Sequence, residues 1–126
     1  MQFGVNFGAH TCTHPILSKI TFSEALYEIK ASKRRLEEML QKEIRTFCYP
    51  NGAERDFNDD IKNILRDNGF SCATSMLYGM NDLLTDPFAL RRIPLSGRSL
   101  LHFHQDISGF ELFKISLRQI WHKSDS

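Results

Sequence analysis

The sequence predicts an α/β fold, a partial (β/α) barrel with parallel strands. Short apolar segments alternate with amphipathic helical segments along the chain, which is typical of parallel strands joined by helical crossovers. The chain has 126 residues, whereas a complete eight-fold barrel takes roughly 250 residues. We therefore expect a single domain over residues 1–126 that holds about half of such a barrel.

Composition limits the classes of function. Hydrophobic residues make up 41% of the chain and charged residues 25%, which is ordinary for a globular protein. The formal net charge of +1 argues against a nucleic-acid partner and against a polybasic membrane surface. No apolar run is long enough for a membrane span and the first residues lack a signal-peptide pattern, so the chain as it stands is expected to be cytoplasmic. Three cysteines fit buried thiols better than a disulfide framework.

The first part of the chain contains a strand and a long helix. A strand is predicted over residues 3–10. Only two residues precede it, so we expect that an upstream segment of the protein is missing from this sequence. A loop follows, because Pro15 disfavours a helix through the preceding residues. Thr21 and Glu24 have the spacing of a capping box, which predicts a helix over residues 22–42. Its apolar face is formed by residues at helical spacing, namely Leu26, Ile29, Leu36 and Leu40.

The middle of the chain predicts a strand, a turn, a helix and a second strand. The strand covers residues 44–49, and the turn is Pro50-Asn51-Gly52. The helix is expected to follow Asp56 as N-cap and to end before Gly69 at C′. Its apolar stripe consists of Phe57, Ile61, Ile64 and Leu65. The second strand covers residues 70–74.

The last part of the chain predicts a loop, a strand and a helix. The loop covers residues 76–88, where Gly, Asn, Asp and Pro are frequent, and the strand covers residues 90–95. Ser108 and Glu111 form a second capping box, and the helix that they begin runs to about Trp121.

Three segments follow predicted strands and are the natural walls of a site: residues 10–14, residues 49–52 and the loop after Thr74. Two imidazoles separated by three residues, His10 and His14, can direct ring nitrogens at one divalent ion, and nitrogen donors suit zinc. The alternative is a pair of polar loop histidines without a metal. Cys12 lies between them and is expected to alternate towards the core as a buried thiol.

Several ordered motifs resemble the polysaccharide deacetylases, also called carbohydrate esterase family four. The segment Gly8-Ala9-His10-Thr11-Cys12-Thr13-His14-Pro15 is similar to the metal-binding segment of that family. The resemblance extends over roughly residues 4–95. The matching segments are Glu28-Ile29-Lys30-Ala31-Ser32-Lys33, Leu36-Glu37, Arg45-Thr46-Phe47-Cys48-Tyr49-Pro50-Asn51-Gly52, Asp67-Asn68-Gly69-Phe70-Ser71-Cys72-Ala73-Thr74 and Leu90-Arg91-Arg92-Ile93-Pro94.

The resemblance implies the later half of a deacetylase barrel and a hydrolase that removes N-acetyl groups from amino-sugar polysaccharides. It implies a divalent metal, best matched by Zn²⁺, with His10 and His14 as ligands. The metal would polarise the amide carbonyl and lower the pKa of its bound water. It also implies a backbone N–H donor for the oxyanion at Asn51. Tyr49, Pro50 and Asn51 would line the substrate site.

The resemblance further assigns the acid that protonates the leaving amine to His102, in Leu100-Leu101-His102. Three residues match easily, and the alternative is a polar position leading into the last helix.

This sequence departs from the family pattern in two places. It contains no Thr-Phe-Asp-Asp-Gly-like segment, and its one adjacent Asp pair, Asp59-Asp60, falls inside a predicted helix. The implied metal set is then one ligand short and the base is missing, so we expect this chain alone to be inactive. In addition, Cys48 stands where many members have Arg, and Asn51 where they have Tyr.

Two other interpretations remain open. A non-catalytic half-barrel would bind a saccharide or assemble with a partner, and because open sheet edges favour association we expect a homo-oligomer. Alternatively, His10 and His14 would form a structural zinc site completed by a second subunit.

Overall fold

The computed structural model describes residues 5–95 and 99–108 and shows the predicted parallel α/β arrangement. Its strands are β1 (Thr46–Cys48), β2 (Cys72–Tyr78) and β3 (Leu90–Arg92). Its α-helices are α1 (Phe22–Leu40), α2 (Asp59–Asp67) and α3 (Leu100–Ile107). Single turns of 3-10 helix lie at Leu17–Lys19, Glu54–Asp56 and Pro87–Ala89.

The three strands form one sheet in the order β1-β2-β3. β1 and β2 are parallel, with Phe47 opposite Ala73. The N-terminal segment joins β1 through an isolated parallel bridge between Ala9 and Phe47. The Ala9 N–H donates to the carbonyl of Thr46, and the Cys48 N–H donates to the carbonyl of Ala9, each at 2.9 Å. In the described residues, the strand predicted over residues 3–10 is therefore reduced to a single bridge.

Helix α1 begins as its capping box predicts. The Thr21 hydroxyl accepts from the Glu24 N–H, and the Glu24 carboxylate accepts from the Thr21 N–H. The helix ends before Gln41, which adopts a left-handed conformation at φ 51°. Its buried residues are Ala25, Glu28, Ile29 and Ser32.

Helix α2 begins two residues later than the predicted N-cap would place it. Its N-cap is Asn58, whose side-chain oxygen accepts from the Ile61 N–H at 3.0 Å. The prediction of Asp56 as N-cap was wrong, because the Asp56 carboxylate is buried and accepts from the Ala53 N–H at 2.9 Å instead. Gly69 follows the C-cap at φ 78°, as predicted.

Strand β2 continues to Tyr78, into the segment predicted as a loop. Ser75 is fully buried there, and its hydroxyl donates to the carbonyl of Leu90 at 2.9 Å. This hydrogen bond satisfies a polar side chain inside the sheet, so the segment remains a strand. Strand β3 is shorter than predicted and ends at Arg92.

The core lies between the sheet and helices α1 and α2. Four aromatic rings pack within it, with Tyr49 stacked on Phe57 at 4.0 Å and Phe47 in edge contact with Tyr49 and Phe70. The apolar stripe predicted for α2 is buried. The core residues are Ala9, Leu17, Ala25, Ile29, Ile44, Phe47, Tyr49, Phe57, Ile61, Ile64, Leu65, Phe70, Ala73 and Phe88.

The chain divides into two compact units. Of the described residues, one unit takes in those up to Leu77 together with Asn81–Arg91, and the other takes in Tyr78–Met80 and those from Arg92 onward. The second unit contains α3, a helix that was not predicted from the sequence. The helix predicted to begin at Ser108 lies outside the described residues. Within the residues described, no helix combines the length and apolarity needed to cross a bilayer.

Candidate functional site

Residues 10–14, the histidine loop, begin at the carboxyl end of the N-terminal segment, directly after the buried Ala9. The Nδ1 atom of His10 lies 2.7 Å from the carbonyl oxygen of Cys48, the last residue of β1. Because a carbonyl oxygen only accepts hydrogen bonds, Nδ1 must be the ring nitrogen that carries the proton. In the neutral ring, Nε2 then keeps a lone pair for a ligand.

The two predicted ligands lie side by side. The ring centroids of His10 and His14 are 4.7 Å apart, with the rings inclined at 74°. Both residues are exposed. Thr11 and His14 have left-handed backbones, at φ 62° and 61°, a conformation that costs energy for residues with a side chain. The loop therefore brings its histidines together at the expense of backbone strain.

Hydrogen bonds hold this loop from two sides. Within the loop, the Thr11 hydroxyl accepts from the His14 N–H at 3.1 Å. From α1, the Glu28 carboxylate accepts from the Cys12 N–H at 2.6 Å, the Thr13 N–H at 3.0 Å and the Thr13 hydroxyl at 2.7 Å. Desolvation acts to raise the pKa of Glu28, but these hydrogen bonds outweigh it and hold the pKa below its ordinary value.

No role of Glu28 at the site was predicted from the sequence. A signal for it exists, because Ala25, Glu28, Ile29 and Ser32 have the i, i+3, i+4, i+7 spacing of one helix face. A carboxylate on the buried face of a helix needs a partner. Its partner here is the histidine loop.

Residues 50–52, the Pro50 turn, follow β1. The Gly52 N–H donates to the carbonyl of Pro50 at 2.7 Å and Asn51 has φ 57°, which together describe a γ-turn. Gly52, at φ 75°, lies against β2, where an added Cβ would come within 3.0 Å of the Met76 nitrogen. In the part of the chain that the structure describes, the Asn51 N–H has no protein acceptor, so it is free to donate to a ligand.

The three residues predicted to contact substrate lie at different depths. Tyr49 and Pro50 are buried, whereas Asn51 is exposed. The Tyr49 hydroxyl donates to the carbonyl of Phe88 at 2.7 Å, and burial raises the pKa of Tyr49. Tyr49 therefore anchors the start of the Pro50 turn in the core, and Asn51 is the exposed residue of this segment.

Cys12 is exposed, so the prediction of a buried thiol was wrong. That prediction assumed an extended chain with alternating side chains. The left-handed backbone at Thr11 breaks the alternation. Cys12, Cys48 and Cys72 are all free thiols.

The donor chemistry of the histidine loop fits part of a zinc site. The two imidazoles are suitable ligands, and the His10–Cys48 hydrogen bond is of the kind that orients metal-binding histidines. Among residues 5–95 and 99–108, no cluster of three or more His, Cys, Asp or Glu side chains is placed to hold a metal. Asp59 and Asp60 lie exposed at the start of α2, and His102 lies in α3 of the second unit.

Comparisons with known proteins point to one family. A family model described as polysaccharide deacetylase matches residues 1–73. The structure is similar to that of a Streptococcus pyogenes deacetylase, PplD, in complex with acetate, at 25% identity and a TM-score of 0.70, covering 81% of this chain and 46% of that one. A polysaccharide deacetylase from Bacillus cereus shares the fold at 23% identity and a TM-score of 0.66, covering 79% of this chain and 31% of that one.

A deacetylase domain from Bordetella bronchiseptica shares the fold more distantly, at 20% identity and a TM-score of 0.51, covering 56% of this chain and 26% of that one. No functionally curated protein shows a significant match to the chain. The chain spans less than half the length of each of these three solved proteins.

Proposed function

Because this chain belongs to the polysaccharide deacetylase family, we propose that it supplies the histidine pair and the oxyanion-binding turn of a metal-dependent deacetylase. The reaction is hydrolysis of the N-acetyl amide of amino sugars in a polysaccharide. One observation carries the proposal: the hydrogen bond from His10 to the Cys48 carbonyl joins the histidine loop to the segment that leads into the Pro50 turn. The two elements to which the proposal assigns metal binding and oxyanion binding are thereby attached at the same end of β1.

In this proposal His10 and His14 hold the metal. Zn²⁺ matches imidazole donors best, and when bound it would polarise the acetamide carbonyl and lower the pKa of water. Protonation of His10 at Nδ1 leaves Nε2 as its donor atom. A catalytic zinc takes three protein ligands, so the set requires one donor besides these two.

Asn51 supplies the oxyanion contact in this proposal. It is exposed and presents a backbone N–H that would donate to the acetamide oxygen as negative charge develops on it. The structure of the similar Streptococcus pyogenes deacetylase is a complex with acetate, the carboxylate that hydrolysis of an acetamide releases.

We propose that the chain by itself does not catalyse this reaction. It lacks the paired aspartates of the family pattern, one of which would complete the metal set while the other acted as base. Acetate release from N-acetylated chitin oligosaccharides with added Zn²⁺ is the measurement. No release above the uncatalysed rate is expected, and turnover at the rate of a typical enzyme would contradict this part of the proposal.

Metal binding is the decisive test. Zinc content per chain, measured by mass spectrometry after Zn²⁺ loading and gel filtration, is compared in the wild type, His10→Ala and His104→Ala. His104 is an exposed histidine of α3 and serves as the matched control. We expect zinc in the wild type and in His104→Ala and its loss in His10→Ala. Absence of zinc from the wild type, or equal zinc in His10→Ala, would contradict the proposal.

The second candidate is a non-catalytic half-barrel that binds a saccharide or associates with another copy. It is favoured by the exposure of Val5 and Phe7, 55% and 43%, in the segment that joins the edge of the sheet. Light scattering and titration with chitin oligosaccharides test it. Dimers, or saccharide binding without acetate release, would support this candidate, and a strictly monomeric chain that binds no saccharide would eliminate it.

A further inference from the structure

Glu28 is buried, with 8% of its surface exposed, and both of its carboxylate oxygens face the histidine loop. Oε2 accepts from the Cys12 and Thr13 N–H groups, and Oε1 accepts from the Thr13 hydroxyl. A carboxylate only accepts hydrogen bonds, and here all three contacts are donors. Both carboxylate oxygens of Glu28 thus face hydrogen-bond donors of the histidine loop.

The position of these contacts in the loop is informative. Cys12 and Thr13 lie between the two left-handed residues, Thr11 and His14. Glu28 therefore holds the middle of the histidine loop, and the two imidazoles lie at the ends of that loop. Left-handed backbones are strained at residues with side chains, so contacts that hold the residues between Thr11 and His14 oppose relaxation of the loop.

We propose that Glu28 is the positioning residue of the histidine loop: it holds His10 and His14 at the separation that a shared metal requires. The inference rests on the proposed function, in which those histidines bind the metal. Glu28 acts on the loop through the Cys12 and Thr13 N–H groups and the Thr13 hydroxyl, and it touches neither imidazole. Its contribution is pre-organisation of a two-histidine site.

The substitution Glu28→Gln tests the proposal with little change in volume. An amide is uncharged and has one acceptor oxygen, so the bonds from the Cys12 and Thr13 N–H groups lose their charge assistance. The Thr13 hydroxyl must then accept from the NH₂ group instead of donating to an oxygen. The matched control is Glu24→Gln, one turn earlier on α1. The Glu24 carboxylate also accepts from a threonine N–H and hydroxyl, those of Thr21, but it caps the helix rather than the loop.

Two readouts separate this inference from the proposed function. The first is the Zn²⁺ dissociation constant, measured by competition with a chromophoric chelator. The second, which needs no metal, is the nuclear Overhauser effect between the rings of His10 and His14, whose centroids are 4.7 Å apart. Thermal unfolding of each variant shows whether the fold is retained.

We expect Zn²⁺ affinity to fall by on the order of tenfold in Glu28→Gln and to stay at the wild-type value in Glu24→Gln. Equal affinity in Glu28→Gln and the wild type would overturn the inference while leaving the proposed function intact. If the wild type binds no zinc, the proposed function fails and the ring contact decides the inference. Loss of that contact in Glu28→Gln alone supports it, and its retention overturns it.

Should Glu28→Gln fail to fold, Thr13→Val replaces it. This change removes only the hydroxyl donor, and Thr13 is exposed. Weaker zinc binding or a lost ring contact supports the proposal. Wild-type behaviour in both readouts overturns it.

Discussion

The hydroxyl of Tyr49 donates a hydrogen bond of 2.7 Å to the backbone carbonyl of Phe88. Tyr49 directly precedes the Pro50 turn, and Phe88 lies in the 3-10 helix Pro87–Ala89. Both residues are buried, at 1% and 7% exposure. The bond thus fastens the turn that bears Asn51 to a segment 39 residues along the chain.

Tyr49→Phe removes this bond without changing the ring that stacks on Phe57. We expect a loss of about 1–3 kcal/mol in the free energy of unfolding, because the Phe88 carbonyl is left without its side-chain donor in the core. Urea denaturation measures it. Tyr27→Phe is the control, since Tyr27 is 68% exposed. Equal stability of Tyr49→Phe and the wild type would show that the bond contributes nothing.

Gly52→Ala and Gly69→Ala compare two glycines with nearly the same backbone, at φ 75° and 78°. Each substitution places a side chain in the left-handed region, at a cost of about 1–2 kcal/mol. At Gly69 the added Cβ meets only the flexible Lys33 amine, at 3.2 Å. At Gly52 it meets the backbone nitrogen of Met76 at 3.0 Å.

We therefore expect Gly52→Ala to be the less stable variant in urea denaturation. Its Asn51 amide resonance should also shift, because the turn must move away from β2. Equal destabilisation of the two variants would contradict this prediction, because the contact between the added Cβ at position 52 and the Met76 nitrogen would then cost no free energy of unfolding.

Asp86→Asn tests the acid dependence of stability. Lys62 lies 2.9 Å from the Asp86 carboxylate and Arg66 lies 3.8 Å from it, and the Phe88 N–H donates to it at 2.8 Å. Partial desolvation acts to raise the pKa of Asp86, but the contacts with Lys62, Phe88 and Arg66 outweigh it and lower the pKa. A lowered native pKa contributes stability above the unfolded-state pKa of about 3.9, and this contribution is lost as the pH falls through the native value.

The wild type should therefore lose stability more steeply than Asp86→Asn on acidification from pH ~5 to pH ~3. Thermal denaturation across this range measures the slopes. Asp67→Asn, at an exposed residue at the end of α2, is the matched control for removal of one carboxylate. Parallel curves for Asp86→Asn and the wild type would contradict the assignment.

Thiol labelling distinguishes the three cysteines. Cys12 is exposed, whereas Cys48 and Cys72 are half-buried. In the folded protein we expect one fast phase with a small disulfide reagent, because access limits the reaction of a thiolate. Cys12→Ser should remove this phase and Cys72→Ser should keep it. A single common rate for all three thiols would contradict the exposure of Cys12.

The sequence predicted those elements whose signals are local. The capping box at Thr21 and the apolar periodicity of Ile61, Ile64 and Leu65 depend on neighbours within a turn or two of helix, and both are confirmed. The extension of β2 depends instead on Ser75, a polar residue that becomes compatible with burial through the distant Leu90 carbonyl. No local pattern reports such a contact.

At the candidate site, too, local features could be predicted from the sequence and contacts between distant residues could not. The spacing of His10 and His14 predicted that both ring nitrogens can point at one divalent ion. The ring centroids lie 4.7 Å apart, and metal binding by the pair stays a prediction. The role of Glu28 was missed, because its partners lie 15 and 16 residues away and its charge suggests a solvent-facing residue. The exposure of Cys12 was missed because the sequence carries no sign of the left-handed backbone at Thr11.

The acceptor that orients His10 is a main-chain atom, the carbonyl oxygen of Cys48. Every amino acid supplies the same oxygen, so exchange of the thiol for a guanidinium or a methyl group leaves this acceptor chemically unchanged. Position 48 can therefore vary in evolution without altering which nitrogen of the imidazole is protonated. The path of the β1 backbone, and not the side chain at position 48, therefore determines which tautomer His10 adopts. Substituting the side chain of Cys48 would not reveal that His10 depends on this strand.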